Sequence, residues 1–405
     1  MSVSENICAE NIDVYNPDAY AQGAPWEQFR WLRQNAPVFW HHHPDGGGYW
    51  LLTKHADIAK VSRDHDTYSS QQGFVMVDDL PPDILKQAQG QLLGMDPPLH
   101  GPIRRVVIDR FTSKMLRELE PRIRQIVRDI FDNTPNDTDF LTDVTGKLPT
   151  QVICESLGVP RDMWDQIRHW SDKQTSADDP DIVSGPQEVL EASYAMGAYG
   201  YQLALERKAN PQNDLITSLI NVEVEGHKVD EMAFASLFIQ ITVAGNETTR
   251  TLISSGMWEL IQRPDVYREL EENPALLPSA IEEMLRWICP LHYFRRTATR
   301  DTELHGQHIR AGDRVVLMYS AGNRDEAVFE NPDQFNIHRQ PNPHLAFGHG
   351  IHLCLGANLA RLEARIFFEE FFKRYQGIEL TGKPKHIRSN LVNGLKAMPV
   401  RLQPR

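Results

Sequence analysis

Cysteine is scarce in this 405-residue sequence, and its four copies, Cys8, Cys154, Cys289 and Cys354, form no C-x-x-C pair. That excludes a disulfide framework and fits a reducing compartment. A surplus of positive charge is also missing, since 55 acidic against 42 basic residues give a net charge of −13. Such a body repels phosphate backbones and anionic lipid, so neither nucleic acid nor a membrane surface is expected as a partner. Long apolar runs are absent as well. The most apolar stretch, residues 232–245, contains Gln240 and runs into Asn246-Glu247, too short and polar to span a bilayer. Met1 to Asn11 carries no basic-then-apolar signal pattern, so a cytoplasmic location is expected. No repeat, low-complexity tract or Gly/Ser-rich linker divides the chain, and a single domain over residues 1–405 is the expectation.

What is present is helix. Hydrophobic residues make up 41% of the chain, enough for a sizeable core. Helical spacing predicts helices over residues 115–131, 189–207, 231–263, 277–287 and 354–375. Strand-like pieces are few: 38–40, 49–52 and 314–319. The expected fold class is therefore mainly α with small β-sheets to one side. Within the longest helix Phe234, Leu237, Phe238, Ile241, Ala244, Gly245, Thr248 and Leu252 share a face. A glycine in mid-helix costs roughly 1 kcal/mol against alanine and invites a functional reason.

The most specific signal is Phe347-Gly348-His349-Gly350-Ile351-His352-Leu353-Cys354-Leu355-Gly356, followed by a helix with Leu359, Ala360, Arg361 and Glu363. Glycines on both sides of the cysteine let backbone approach a flat ligand, and a cysteine near a helix start has its thiolate favoured. Zinc held by His344, His349, His352 and Cys354 is the competing reading, disfavoured by the tight glycine spacing. The segment resembles the haem-thiolate signature of cytochrome P-450 enzymes, F-G-x-G-x-H-x-C-x-G, at every fixed position. Ala244-Gly245-Asn246-Glu247-Thr248-Thr249 is similar to the same family's oxygen-activation motif, A-G-x-[D/E]-T-T. Glu283-Met284-Leu285-Arg286 resembles its E-x-x-R pair, and Asp96-Pro97-Pro98-Leu99-His100-Gly101-Pro102-Ile103-Arg104 its D-P-P-x-H-x-x-x-R segment.

The resemblance spans nearly the whole chain and implies the cytochrome P-450 fold, with a long central helix over a haem b held by a cysteine loop. Cys354 is implied as the axial ligand to haem iron, with Phe347 and Gly348 in its loop. His100, Arg104, Arg296 and His352 are implied as partners of the haem propionates, which need cationic hydrogen-bond donors when buried. Ala244 and Gly245 would leave room for dioxygen, while Glu247 and Thr248 would deliver protons. Glu283, Arg286 and Arg339 would hold the cysteine loop, although Asn336 stands where the family often has aspartate.

The implied activity is insertion of one oxygen atom of O2 into a C–H or C=C bond of a hydrophobic molecule. No flavin or dinucleotide fingerprint is present, so electrons are expected from NAD(P)H through a reductase and a ferredoxin. The ferredoxin would dock on a basic patch of Arg104, Arg105, Arg110, Arg361 and Arg365. A peroxide-driven haem enzyme, a non-catalytic haem or ligand carrier, and a fatty-acid or aromatic hydroxylase are the alternatives. A terpenoid- or steroid-like substrate is expected, in a pocket of Phe74, Met76, Leu93, Phe238, Val243, Leu291, Phe294 and Val392, acted on by a monomer.

Overall fold

Apolar side chains recurring every three to four residues set the main elements of the computed structural model, which describes residues 7–44, 46–221, 223–224, 227–228 and 230–405. The helices that position the site are α1 (His55–Arg63), α2 (His100–Ile108), α3 (Ser113–Asp132), α4 (Lys147–Leu157) and α5 (Trp164–Thr175). They continue with α6 (Pro186–Ala209), α7 (Glu231–Ile261), α8 (Leu277–Ile288) and α9 (Ala357–Arg374). At 1.5 Å per residue α7 runs about 46 Å through the molecule. Its start is fixed by the Asp230 carboxylate, which accepts a hydrogen bond from Ala233 N at 2.8 Å. Its end comes at Ile261, two residues short of the expected Arg263, because the following Pro264 disfavours helix in the residue before it. Helices α4, α5, α6, α8 and α9 all pack on α7, burying Phe234, Leu237, Ile253, Met257 and Leu260.

The strands of the two larger sheets are β1 (Val38–His42), β2 (Gly48–Leu52), β3 (Tyr68–Ser69), β4 (Asp137–Asp139), β5 (Tyr293–Ala298), β6 (Arg314–Met318), β7 (Tyr375–Leu380) and β8 (Pro399–Pro404). One sheet has the order β1-β2-β6-β5-β3 and another β7-β8-β4. Trp40 stands opposite Trp50 in the antiparallel β1–β2 pair, and β6 joins β2 in parallel. Strand β5 escapes sequence reading because its centre is Arg295-Arg296-Thr297. Side chains alternate across a strand, so Arg295 and Arg296 leave opposite faces of the sheet. Arg295 bonds the carbonyls of Val77 and Asp78 and the Asp79 carboxylate, pinning the 77–79 segment. Arg296 is thereby turned the other way, with Phe294. Among the described residues no helix is long and apolar enough to cross a membrane.

Candidate active site

The cysteine loop precedes α9 rather than opening it. Helix α9 begins at Ala357, three residues after Cys354, and the Cys354 N–H donates to Phe347 O at 2.9 Å. Gly348 and Gly350 take φ of +71° and +72°, a region that strains other L-residues. A Cβ on Gly350 would also lie 2.1 Å from the Ser62 carbonyl oxygen, so only glycine lets the loop rest on α1. From α9 the Arg361 guanidinium lies 4.5 Å from the Phe347 ring centroid and grips Glu282 through two bonds of 2.6 and 2.8 Å. Burial acts to raise the Glu282 pKa, but Arg361 and His344 outweigh it and bring it down to about 2.

Cys354 is exposed to an internal cavity. Enclosure pushes its thiol pKa up; the N–H groups of Gly356 and Ala357 and the charges of Arg104 and Arg361 pull against that. A thiol so placed becomes a thiolate when a metal takes the proton's place. Among the described residues no group of three or more His, Cys, Asp and Glu side chains is arranged to hold a bare metal ion. His344, His349, His352 and Cys354 are therefore not brought together as a set of ligands.

Across the cavity runs the Ala244–Thr249 turn of α7. The Thr248 hydroxyl donates to Ala244 O at 2.9 Å, as its spacing requires. Ala244, Gly245, Thr248 and Thr249 line the cavity. A Cβ on Gly245 would stand 3.0 Å from Ile153 Cγ1, so this glycine also admits α4 at close range. Glu247 does not line the cavity. Its buried carboxylate is turned toward α5 and ion-pairs with Arg250, accepts from Thr251 at 3.1 Å and lies 3.5 Å from the Thr175 hydroxyl. Arg250 is held in turn by Asp172 of α5 at 2.8 Å. Burial raises the Glu247 pKa to about 6, against the pull of Arg250. Asn246 ties the same turn to two neighbours: Thr150 donates to its Oδ1 at 2.8 Å, and its Nδ2 donates to Ser171 at 3.1 Å.

At one edge of the cavity stand nitrogen donors that no carboxylate binds directly among the described residues. His100 and His352 are buried with ring centroids 4.7 Å apart, and His100 Nε2 and His352 Nδ1 have no hydrogen-bond partner. Burial, reinforced by Arg296 and its neighbours, lowers the His352 pKa to about 2, and burial with Arg104 lowers that of His100 to about 4. Arg296 is buried with one bond, to its neighbour's carbonyl, and no ion pair among the described residues; Arg104 donates to Leu353 O at 2.6 Å. Buried orphan donors from α2, β5 and the cysteine loop are the arrangement that two carboxylates of one flat ligand would satisfy. Tyr319, which sequence reasoning missed, lines the same edge. Pro102, unexpected in this segment, occupies the third residue of α2, where its missing N–H would have had no helical partner.

Beneath the loop Glu283 and Arg286 are fully buried and joined by two bonds of 2.8 Å. Arg339 adds a third cationic bond to Glu283 at 3.1 Å. The two arginines also donate to the carbonyls of Asn323, Pro332, Gln334, Glu330 and Asn331. Asn336 contributes its backbone N–H to Glu283 at 2.8 Å, which any residue would do, so its departure from the family's aspartate leaves this joint intact.

Of the expected pocket residues, Leu93, Leu291 and Phe294 line the cavity, and Phe74, Met76, Phe238, Val243 and Val392 do not. Phe238 is turned onto α6, where its ring fills the space left by Gly200. Phe74 covers Gly94, Val243 packs into the core, and Val392 bridges to Leu291 from behind. Leu92, Leu237, Gln240 and Ile241 complete the wall instead. Glu363 of α9 also lines the cavity; burial pushes its pKa well above the carboxylate range, and its Oε2 has no partner.

A cysteine in an enclosed loop, a helical turn with a glycine and a threonine facing it, and unpartnered nitrogen donors at the rim fit a flat, thiolate-ligated cofactor with carboxylates at its edge. The comparisons agree with that class. The family described as cytochrome P450 matches residues 200–401. A steroid C26-monooxygenase of Rhodococcus jostii is 37% identical over 414 residues, covering 98% of this chain and 86% of that protein. The linalool 8-monooxygenase of Pseudomonas putida is 34% identical, covering 98% and 100%. A Mycobacterium marinum cytochrome P450 in complex with pseudoionone superposes with a TM-score of 0.91 at 32% identity, covering 98% and 100%. The chain belongs to the cytochrome P450 family. Its cofactor is haem, and it is a monooxygenase that uses O2 and a hydrophobic small molecule.

Proposed function

We propose that residues 1–405 act as one catalytic unit that oxygenates a terpenoid- or steroid-like molecule, with Cys354 as the axial thiolate. The observation that carries this reading is the cavity itself, bounded by the Cys354 thiol and the Ala244–Thr248 turn and walled largely by leucine, isoleucine and phenylalanine. Relatives named for a steroid and for linalool, and a neighbour crystallised with pseudoionone, support the substrate class. Haem supplies activation of O2 and insertion of one oxygen atom. His100, Arg104, Arg296 and His352 hold its propionates, and the Glu283–Arg286–Arg339 joint keeps the cysteine loop in place. Thr248 presents a hydroxyl to the cavity while Glu247 carries protons toward it from the α5 side. Titration with linalool-type terpenoids, sterols, fatty acids and small aromatics tests the substrate class through the low-to-high spin change and product formation. Conversion confined to fatty acids or aromatics would overturn it.

Electrons would come from NAD(P)H through a reductase and an acidic ferredoxin. The basic patch is narrower than the sequence suggests. Arg361 is committed to Glu282, Arg365 to Glu120 and Glu369, and the Arg110 side chain lies outside the described residues. Arg104 turns inward to Leu353, and Arg105, exposed on α2, has no ion-pair partner among the described residues. Arg105→Glu should slow the first electron transfer, as should added salt, since charge is screened over about 10 Å at 0.1 M. Substrate affinity should stay unchanged. A transfer rate indifferent to both changes contradicts docking at this helix.

A further inference from the structure

Away from the Thr248–Thr249 turn, Glu363, the cysteine loop and the His100–His352 edge, the described lining of the cavity is apolar but for Gln240. Gln240 stands among Leu92, Leu93, Leu237, Ile241, Leu291 and Phe294. Its Oε1 accepts the Leu92 N–H at 2.7 Å. A backbone N–H can only donate, so the amide oxygen must face Leu92 and the NH2 must face away. No protein acceptor meets that Nε2 among the described residues, although Gln240 lines the cavity. The bond to Leu92 also fixes the side chain, which leaves a pre-oriented donor in an otherwise oily wall.

We infer that Gln240 donates a hydrogen bond from Nε2 to a neutral acceptor oxygen on the substrate and so selects which carbon reaches the Thr248 turn. The inference rests on the terpenoid or steroid reading and narrows it to molecules with a hydroxyl or carbonyl on an apolar body. A carboxylate is a poor occupant of this end. The charged Arg104 and the neutral rings of His100 and His352 lie at the cofactor edge, and burying an unpaired carboxylate among leucines is costly. Gln240 precedes Ala244 by four residues and Thr248 by eight, so along the helix the acceptor sits about 6–12 Å from the reacting carbon. That span suits an acyclic terpenoid alcohol or ketone oxidised toward its far end.

The experiment titrates haem-loaded wild type, Gln240→Leu and Gln240→Met with linalool and with a hydrocarbon of the same carbon skeleton lacking the hydroxyl, reading spin-state change and regiochemistry of the products. Wild type should prefer linalool by about tenfold, the usual net worth of one such bond. Both variants should bring that ratio close to one and spread oxidation over more carbons. Loss of the Leu92 contact alone would weaken both ligands together and leave the ratio standing. An unchanged ratio therefore overturns the role of Gln240, whatever happens to total affinity. A wild type that accepts neither ligand while accepting fatty acids contradicts the terpenoid reading itself.

Discussion

Replacing Glu283 by alanine is expected to remove haem binding at ordinary temperature. Removing one partner of a buried ion pair typically costs about 3–5 kcal/mol, because the remaining charge stays buried without compensation. Here two buried arginines would be stranded, and the Asn336 N–H and the Asn342 amide, 3.2 Å from Glu283, would lose their acceptor as well. Those groups join α8 to the 323–342 segment that leads into the cysteine loop. A loss of that size consumes much of the stability of a typical domain. Glu283→Gln keeps an acceptor oxygen but not the charge, so it should fall between wild type and alanine. Denaturation midpoints and haem content per chain measure both variants. An alanine variant within about 1 kcal/mol of wild type and fully loaded contradicts the role assigned to this joint.

Thr248→Ala should consume NADH and O2 at a substantial rate while diverting them to hydrogen peroxide. General acid steps are typically worth about 10²–10⁴ in rate, so product formed per NADH should drop by a factor of that order. Glu247→Gln should lower product formation similarly, and its pH profile separates proton delivery from a structural effect. Burial lifts the Glu247 pKa to about 6, so the folded protein holds this proton more tightly than an exposed carboxyl would. Below pH 6 the acid is mostly protonated and ready to donate. As pH rises through 6 that fraction falls, and product formation limited by proton delivery falls with it. The glutamine variant should lack this inflection. Because Arg250 and Asp172 hold the carboxylate away from the cavity, Glu247 would have to change partners to deliver a proton there. Unchanged coupling in Thr248→Ala, or an inflection near pH 6 that survives in Glu247→Gln, contradicts the relay.

How far these features are legible in the sequence depends on whether chemistry fixes the residue type. The cysteine loop is legible because positive φ at Gly348 and Gly350 and contact with Ser62 leave little choice but glycine. The Thr248 bond follows from helical spacing alone. The direction of Glu247 does not, since Arg250 three residues on and Asp172 on another helix decide it. Arg296 was separable from Arg295 only by resemblance; the strand's alternation supplies the physical reason. Pocket residues are least legible. Phe238 is as apolar as Leu237, yet one position of rotation sends it to α6, while Gln240 carries no hydrophobic signal and still lines the wall.

Thiolate ligation of haem by Cys354 can be read from the absorption spectrum of the reduced, carbon monoxide-bound protein. Wild type should display the red-shifted Soret band of thiolate ligation, and Cys354→His should bind haem without it. Persistence of that band in Cys354→Ala would contradict the account.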